Sequence, residues 1–355
     1  MIKRFIFAAV LFPTVILANC PKGQLCQLDI QGGQCADGSQ SYVKYIDRDL
    51  EHLFIYVQGG GACFDAVTCG CRLDEKNCKG SNEGGKGALA GYLSRPPVEE
   101  QTHPWSRGEE HPVGKANYFE IIYCTGDVYT GAGMANYGNK LIPRNVRHFG
   151  SKNFELSIKK AKELFPKVKK VTVVGSSAGG VGISYNLHHI VDQFVDSDIA
   201  VINDSGIPIF SQFLERDKVR GVLKSWNVSA SLPKDIVVEG ELDFETIYKY
   251  NSDKFSEIRY GLLGALEDAV FTMYFKLLGG SSDSVEKSLQ QASTLMRQAK
   301  QHHYFYDRGK WHTATFLPSY GVPKTLWPQS HGLYVYDWIK SLIAGSKDWA
   351  DVEAD

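Results

Sequence analysis

The sequence predicts an α/β fold, a mainly parallel sheet covered by helices on both faces. Three observations carry this expectation. Short β-rich runs alternate with stretches of helical periodicity over most of the 355 residues. One such run, Lys170 to Val174, passes straight into Gly175-Ser176-Ser177-Ala178-Gly179-Gly180 and then into a helical pattern. No composition shift, internal repeat or low-complexity run marks a linker, so one domain over 19–355 is expected.

Taken in chain order, His52 to Val57 (HLFIYV) reads as a strand that ends in Gln58-Gly59-Gly60-Gly61. Tyr118 to Tyr123 (YFEIIY) is a second strand. Between them, Cys63 to Asn117 carries Gly, Pro, His and four cysteines with little periodicity. Long irregular segments inside compact domains are usually functional, so 63–117 is read as a disulfide-tied loop over the site. Ser151 to Phe165 reads as a helix, with Ser151 as cap and Phe154, Ile158, Ala161 and Phe165 at helical spacing. The strand at Lys170 follows, and Val181 to Phe194 is the next helix. Asp198 to Asn203 is a strand closed by an Asp204-Ser205-Gly206 turn. Ile258 to Leu263 is another, with Asp268 a few residues on. Ser284 to Gln301 is a helix, His302 to Tyr306 a strand, and His331 to Ile343 a closing helix. Sites in such sheets lie beyond the carboxyl ends of the strands.

The bulk numbers exclude some functions. Hydrophobic residues are 43% and charged residues 22%, ordinary for a globular protein. Net charge is -1 with no long basic run, which argues against a nucleic-acid partner. Lys3 and Arg4, then the apolar run Phe5 to Leu17 and the small Ala18, read as a cleaved signal peptide over 1–18. The run is too short to span a bilayer comfortably, so no stable membrane span is expected. Leu17-Ala18-Asn19-Cys20 also resembles a lipoprotein cleavage site, but Asn19 is a poor residue before a lipidated cysteine. The expected location is therefore secreted or periplasmic. The eight cysteines, Cys20, Cys26, Cys35, Cys63, Cys69, Cys71, Cys78 and Cys124, then read as disulfide partners. Their spacing matches no paired CxxC zinc pattern, and no metal is expected.

Gly175-x-Ser177-x-Gly179 has the nucleophile-elbow pattern in its required context of strand, sharp turn and helix. This makes the expected fold α/β-hydrolase-like. Such a turn pushes the serine up into a cleft and leaves no room for side chains two residues away. The backbone N–H of Ala178, at the helix amino end, then faces the developing oxyanion. Gly59, Gly60 and Gly61 fit the second half of an oxyanion hole, because glycines let backbone N–H groups approach a substrate.

Ten histidines compete for the role of base. His188 and His189 lie eleven and twelve residues along the next helix, about 16 Å from Ser177, too far to take its proton. His52, His103, His111 and His148 precede the serine, whereas the usual order is Ser, then Asp or Glu, then His. Of the remainder, His302 and His303 sit in a strand, where at most one points usefully. His312, in the loop Gly309-Lys310-Trp311-His312-Thr313, is the first choice and His331 the runner-up. For the acid, Asp204 and Asp268 both follow strands. Asp268 is preferred, because Asp204 sits in a tight turn that suits a local backbone role. Asp243 and Asp253 look solvated.

Five segments occur in order: Gly59-Gly60-Gly61-Ala62-Cys63, Ala90-Gly91-Tyr92-Leu93-Ser94, Tyr123-Cys124-Thr125-Gly126-Asp127, Gly175 to Gly180, and Asp204-Ser205-Gly206. Together they resemble the pectin acetylesterase/Notum family of secreted α/β-hydrolase carboxylesterases, over roughly residues 35 to 345. The resemblance implies a Ser–His–Asp triad and no cofactor. Ser177 matches the family's nucleophile, and His312 its histidine, which follows an Asp-containing segment (here Asp307 to Trp311). Asp268-Ala269-Val270 best matches the acid segment, with Phe271 where a glutamine is usual. The oxyanion hole maps onto Gly60, Gly61 and Ala178. Ala62 stands where many relatives carry an aromatic residue, and Gln58 where many carry a glutamate, which leaves the acyl pocket open to difference.

The expected function is a secreted serine carboxylesterase, monomeric, that hydrolyses an O-acyl ester, O-acetyl by family weight, on a carbohydrate such as pectin or a small ester. The competing expectations are a protein or lipid deacylase, a peptidase or lipase, and a non-catalytic hydrolase-fold binding protein.

Overall fold

The computed structural model describes residues 20–70, 93, 95–96, 102–107, 111–138, 145–238, 242–317 and 321–355. The expected signal segment 1–18, Asn19, Cys71, Cys78, the resemblance residues Ala90 to Tyr92 and Ser94, and much of 63–117 lie outside these.

Twelve strands and eight helices are described. The strands are β1 (Cys26–Gln34), β2 (Gln40–Ile46), β3 (His52–Val57), β4 (Asn117–Ile121), β5 (Gly133–Asn136), β6 (Asn145–His148), β7 (Lys170–Ser176), β8 (Asp198–Asp204), β9 (Arg259–Ala265), β10 (His302–Asp307), β11 (Gln329–Ser330) and β12 (Leu333–Tyr334). The helices are α1 (Gly150–Leu164), α2 (Ala178–Tyr185), α3 (Leu187–Gln193), α4 (Arg216–Trp226), α5 (Glu245–Lys254), α6 (Ala269–Leu277), α7 (Ser284–Met296) and α8 (Val335–Ala344). Eight strands form one sheet in the order β1-β2-β4-β3-β7-β8-β9-β10. From β4 to β10 every pairing is parallel, while β1, β2 and β4 pair antiparallel.

Period-two alternation explains how the sheet is covered on both sides. Leu53, Ile55 and Val57 of β3 point into a core that takes in apolar faces of α1 to α7. Phe54 and Tyr56 point the other way, into a core closed by Trp105 and by Trp338, Ile339 and Leu342 of α8. A strand buried on both faces must be apolar along its whole length, which is why HLFIYV and KVTVV are legible as strands.

Several elements differ from expectation. The helix after the elbow starts at Ala178 and breaks at Asn186. The Asn186 side chain donates to the carbonyls of Gly182 (2.8 Å) and Tyr129 (2.9 Å), and its own backbone leaves helical geometry. Ser151 does not cap α1. The Asp127 carboxylate does so from across the fold, accepting from the Gly150 N–H at 2.7 Å. The α7 helix stops at Met296, short of Gln301. The closing helix begins at Val335, not at His331. His331 and Gly332 form a two-residue turn between the paired Ser330 and Leu333, with φ of 48° and 77°. That is the positive-φ hairpin geometry favoured by the twist of the flanking strands.

Three disulfides join described residues: Cys20–Cys26, Cys35–Cys124 and Cys63–Cys69. Cys20, the cysteine of the lipoprotein-like segment, is paired with Cys26 in the first of these bridges. No helix among the described residues is long and apolar enough to cross a membrane.

Candidate active site

Five parallel strands end along one edge of the sheet, and each delivers one piece of the site. β3 ends in the Gly59–Gly61 turn, β7 in Ser177 and β8 in Asp204. The loop after β9 carries Asp268, and the loop after β10 carries His312.

Ser177 adopts φ 55° and ψ -119°, a strained backbone for a non-glycine residue, of order 1–3 kcal/mol. Its surroundings hold it there. The Ser177 N–H donates to the Asp204 carbonyl at 2.8 Å. Two glycines make the close approach possible. A Cβ on Gly179 would lie 2.1 Å from the Val57 carbonyl oxygen. One on Gly59 would lie 2.5 Å from the Ser176 carbonyl oxygen and 3.2 Å from the Ser177 Cβ. The glycine turn therefore packs directly on the elbow, and Ala178 opens the following helix.

His312 Nδ1 lies 2.8 Å from Asp268 Oδ2. Asp268 is fully buried, and its other oxygen accepts from the Val270 and Phe271 N–H groups at 2.9 Å each, capping α6. The two loops run side by side: Leu266 N–H bonds the Asp307 carbonyl at 2.9 Å and Glu267 N–H the Gly309 carbonyl at 3.2 Å. Phe271 packs against the His312 ring at 5.9 Å between centroids and also lines the cavity that Ser177 opens into. With Nδ1 donating to a carboxylate, Nε2 remains as the acceptor on the imidazole.

Asp204 has a different task from either the acid or a local turn. One carboxylate oxygen accepts from Ala314 N–H at 2.8 Å, the other from Thr315 N–H and hydroxyl at 2.9 and 2.6 Å. Ser205 Oγ accepts from Thr313 N–H at 3.0 Å. The same turn thus ties down both Ser177 and the chain just after His312. Burial raises the Asp204 carboxyl above its ordinary range, and the donors from Thr315 and Ala314 oppose this. Asp204→Ala orphans three buried donors and is expected to cost about 3 kcal/mol or more of stability. An unchanged midpoint in denaturant unfolding would contradict the anchoring role.

The other candidates lie elsewhere. His331 is exposed in its hairpin turn, with Nδ1 2.7 Å from Asp355 Oδ1. His188 and His189 line a separate polar cavity with Lys152, Asp192 and Lys254. Burial lowers the His188 imidazole to about 4. His302 and His303 bond to the Phe255 carbonyl and to Asp351.

Sequence reasoning missed an apolar cavity beside Ser177. Gly61, Ala62, Ser177 and Ala178 line it on the side of the elbow. Its wall is apolar, from Phe64, Val181, Val222, Trp226, Phe244 and Phe275. Val128, also in the wall, and the next residue Tyr129 have φ of 48° and 61°. Asp127 fixes this bend by accepting from Tyr129 N–H (3.1 Å) and Thr125 hydroxyl (2.6 Å). Burial pushes the Asp127 carboxyl up to about 6. The compact Tyr123 to Asp127 run was the available signal for this structure.

Comparison with known proteins bears on the family and the fold. Over 196 residues the chain is 26% identical to palmitoleoyl-protein carboxylesterase notum1 of Xenopus laevis, covering 52% of this chain and 36% of that protein. It is 25% identical over 196 residues to palmitoleoyl-protein carboxylesterase NOTUM of Homo sapiens, covering 52% and 35%. The matches thus span about a third of the length of these curated relatives. The structure of the Wnt deacylase Notum from Drosophila superposes with a TM-score of 0.65 over 93% of this chain and 96% of that one, at 15% identity. This likeness shows the α/β-hydrolase fold. The pectinacetylesterase family model matches residues 23–235, well over half the chain. By that match, this chain belongs to the pectinacetylesterase family.

Proposed function

We propose that this protein is a serine carboxylesterase that hydrolyses an O-acyl ester through an acyl-enzyme on Ser177. The observation that carries the proposal is the His312–Asp268 pair at 2.8 Å, set on the same strand ends as the elbow serine and its apolar cavity. Ser177 Oγ attacks the ester carbonyl while His312 Nε2 takes its proton. The tetrahedral intermediate collapses, and the alcohol leaves with that proton. Water, deprotonated by His312, then attacks the acyl-enzyme and releases the acid. Asp268 holds the imidazole tautomer and stabilises its charged form. The N–H groups of Gly60, Gly61 and Ala178 hold the oxyanion. No step calls for a cofactor or metal. The disulfides suit an oxidising compartment, and we read the chain as a secreted or periplasmic monomer.

Two readings of the acyl group compete. The family description supports O-acetyl on a carbohydrate such as pectin. The cavity supports a longer aliphatic chain, since its wall beyond Ser177 is built from apolar side chains such as Val181, Val222, Trp226, Phe244 and Phe275. The relatives named as palmitoleoyl-protein carboxylesterases lean the same way. A panel of p-nitrophenyl esters from acetyl to palmitoyl separates the two. Filling the cavity is expected to raise kcat/KM about fourfold per added methylene until the chain fits. Activity that peaks at acetyl would favour the carbohydrate O-acetyl reading instead.

A further inference from the structure

The glycine turn after β3 is held by hydroxyl groups as well as by backbone. Tyr123 Oη donates to the Gly61 carbonyl at 3.0 Å and accepts from Val128 N–H at 2.7 Å. One residue on, the Ala62 N–H donates to Tyr274 Oη at 3.1 Å. The Cys63 N–H then bonds the Gly126 carbonyl at 2.8 Å. Gly61 itself sits at φ 73°, in the left-handed region, so the turn needs outside contacts to keep one geometry.

Tyr274 stands apart because of where it comes from. It lies on α6, the nine-residue helix whose amino end is capped by Asp268. Its ring lines the cavity beside Gly61, Ala62 and Ser177. One short rigid element therefore carries the carboxylate that orients His312 and the hydroxyl that grips the glycine turn. Burial raises the Tyr274 phenol above its ordinary value, which keeps the hydroxyl neutral.

We infer that Tyr274 is a positioning residue for the oxyanion turn, fixing the Gly60–Gly61 N–H groups relative to the His312–Asp268 pair. The inference rests on the esterase reading above. Its action is indirect, through the Ala62 amide, and it matters most when charge develops on the carbonyl oxygen. A displacement of the order of 1 Å in such donors costs about 100-fold in rate. Tyr274→Phe keeps the ring and the cavity wall and removes only the hydroxyl.

The test compares wild type and Tyr274→Phe on a p-nitrophenyl ester, with active sites counted by fluorophosphonate titration. The expected result is a fall in kcat of about 10- to 100-fold with KM little changed. Affinity for an acyl trifluoromethyl ketone, which forms an oxyanion on Ser177, falls by the same factor. Affinity for the free carboxylic acid product stays at the wild-type value. A merely structural role would not split the two ligands in this way. Wild-type kcat and ketone affinity in the variant, or equal losses for ketone and acid, would overturn the inference. Ser177→Ala, assayed alongside, keeps the questions apart. If it retains turnover, the esterase reading fails. If it is inactive while Tyr274→Phe is normal, only the role of Tyr274 fails.

Discussion

Ser177→Ala is expected to lower turnover of an acyl ester by about 10⁴- to 10⁶-fold. The loss is large because the hydroxyl is the only group the mechanism uses to form a bond with substrate. What remains is water attack on an ester held in the oxyanion turn. The fold should not notice the change. Ser177 N–H, not its side chain, makes the bond to the Asp204 carbonyl, and alanine takes up the same φ of 55° as serine does. Stability is therefore expected within about 0.5 kcal/mol of wild type. Turnover within tenfold of wild type would refute the assignment of the nucleophile, and a large drop in melting temperature would show the side chain to be structural.

Asp268→Asn is expected to cost about 10⁴-fold in kcat with little loss of stability. The two oxygens of Asp268 have separate duties. Oδ1 caps α6 through Val270 and Phe271, and the asparagine oxygen can keep those bonds. Oδ2 accepts from His312 Nδ1, and an amide NH₂ in its place forces the imidazole into the tautomer that cannot accept the Ser177 proton. Asp268→Ala loses both duties, so it should add about 1 kcal/mol of destabilisation from the lost cap. Paired measurements of kcat and thermal unfolding on the two variants separate orientation from capping. Near-normal kcat in Asp268→Asn would mean that another group orients the histidine.

The parts of this protein that were legible in its sequence are those where one physical constraint acts locally. Strands β3, β7 and β8 are buried on both faces, so their apolar runs stand out. The elbow needs glycine at positions 175 and 179 for want of room, and that need is written in five consecutive residues. The antiparallel pair β1–β2 was not legible. Its first strand, CQLDIQGGQ, mixes polar residues and two glycines, and only pairing with β2 makes it a strand. Asp204 was read as a turn residue because its true partners, Ala314 and Thr315, lie 110 and 111 positions away. The start of α8 was misplaced because helical periodicity runs backwards through His331, where a two-residue turn prevails. The tyrosines that brace the glycine turn, Tyr123 and Tyr274, look like core aromatics until their hydroxyl partners are known. The cavity was the largest omission. Its wall gathers side chains from α2, α4, α6 and several loops, and no single segment encodes it.

The most direct test of the central claim is chemical. An alkyl fluorophosphonate phosphonylates only a serine that is activated by its own base and oxyanion donors. The full-length protein, treated with the probe and digested, is expected to yield one modified peptide with the adduct on Ser177, and His312→Ala is expected to abolish labelling. An unmodified protein, or an adduct on another residue, would contradict the account.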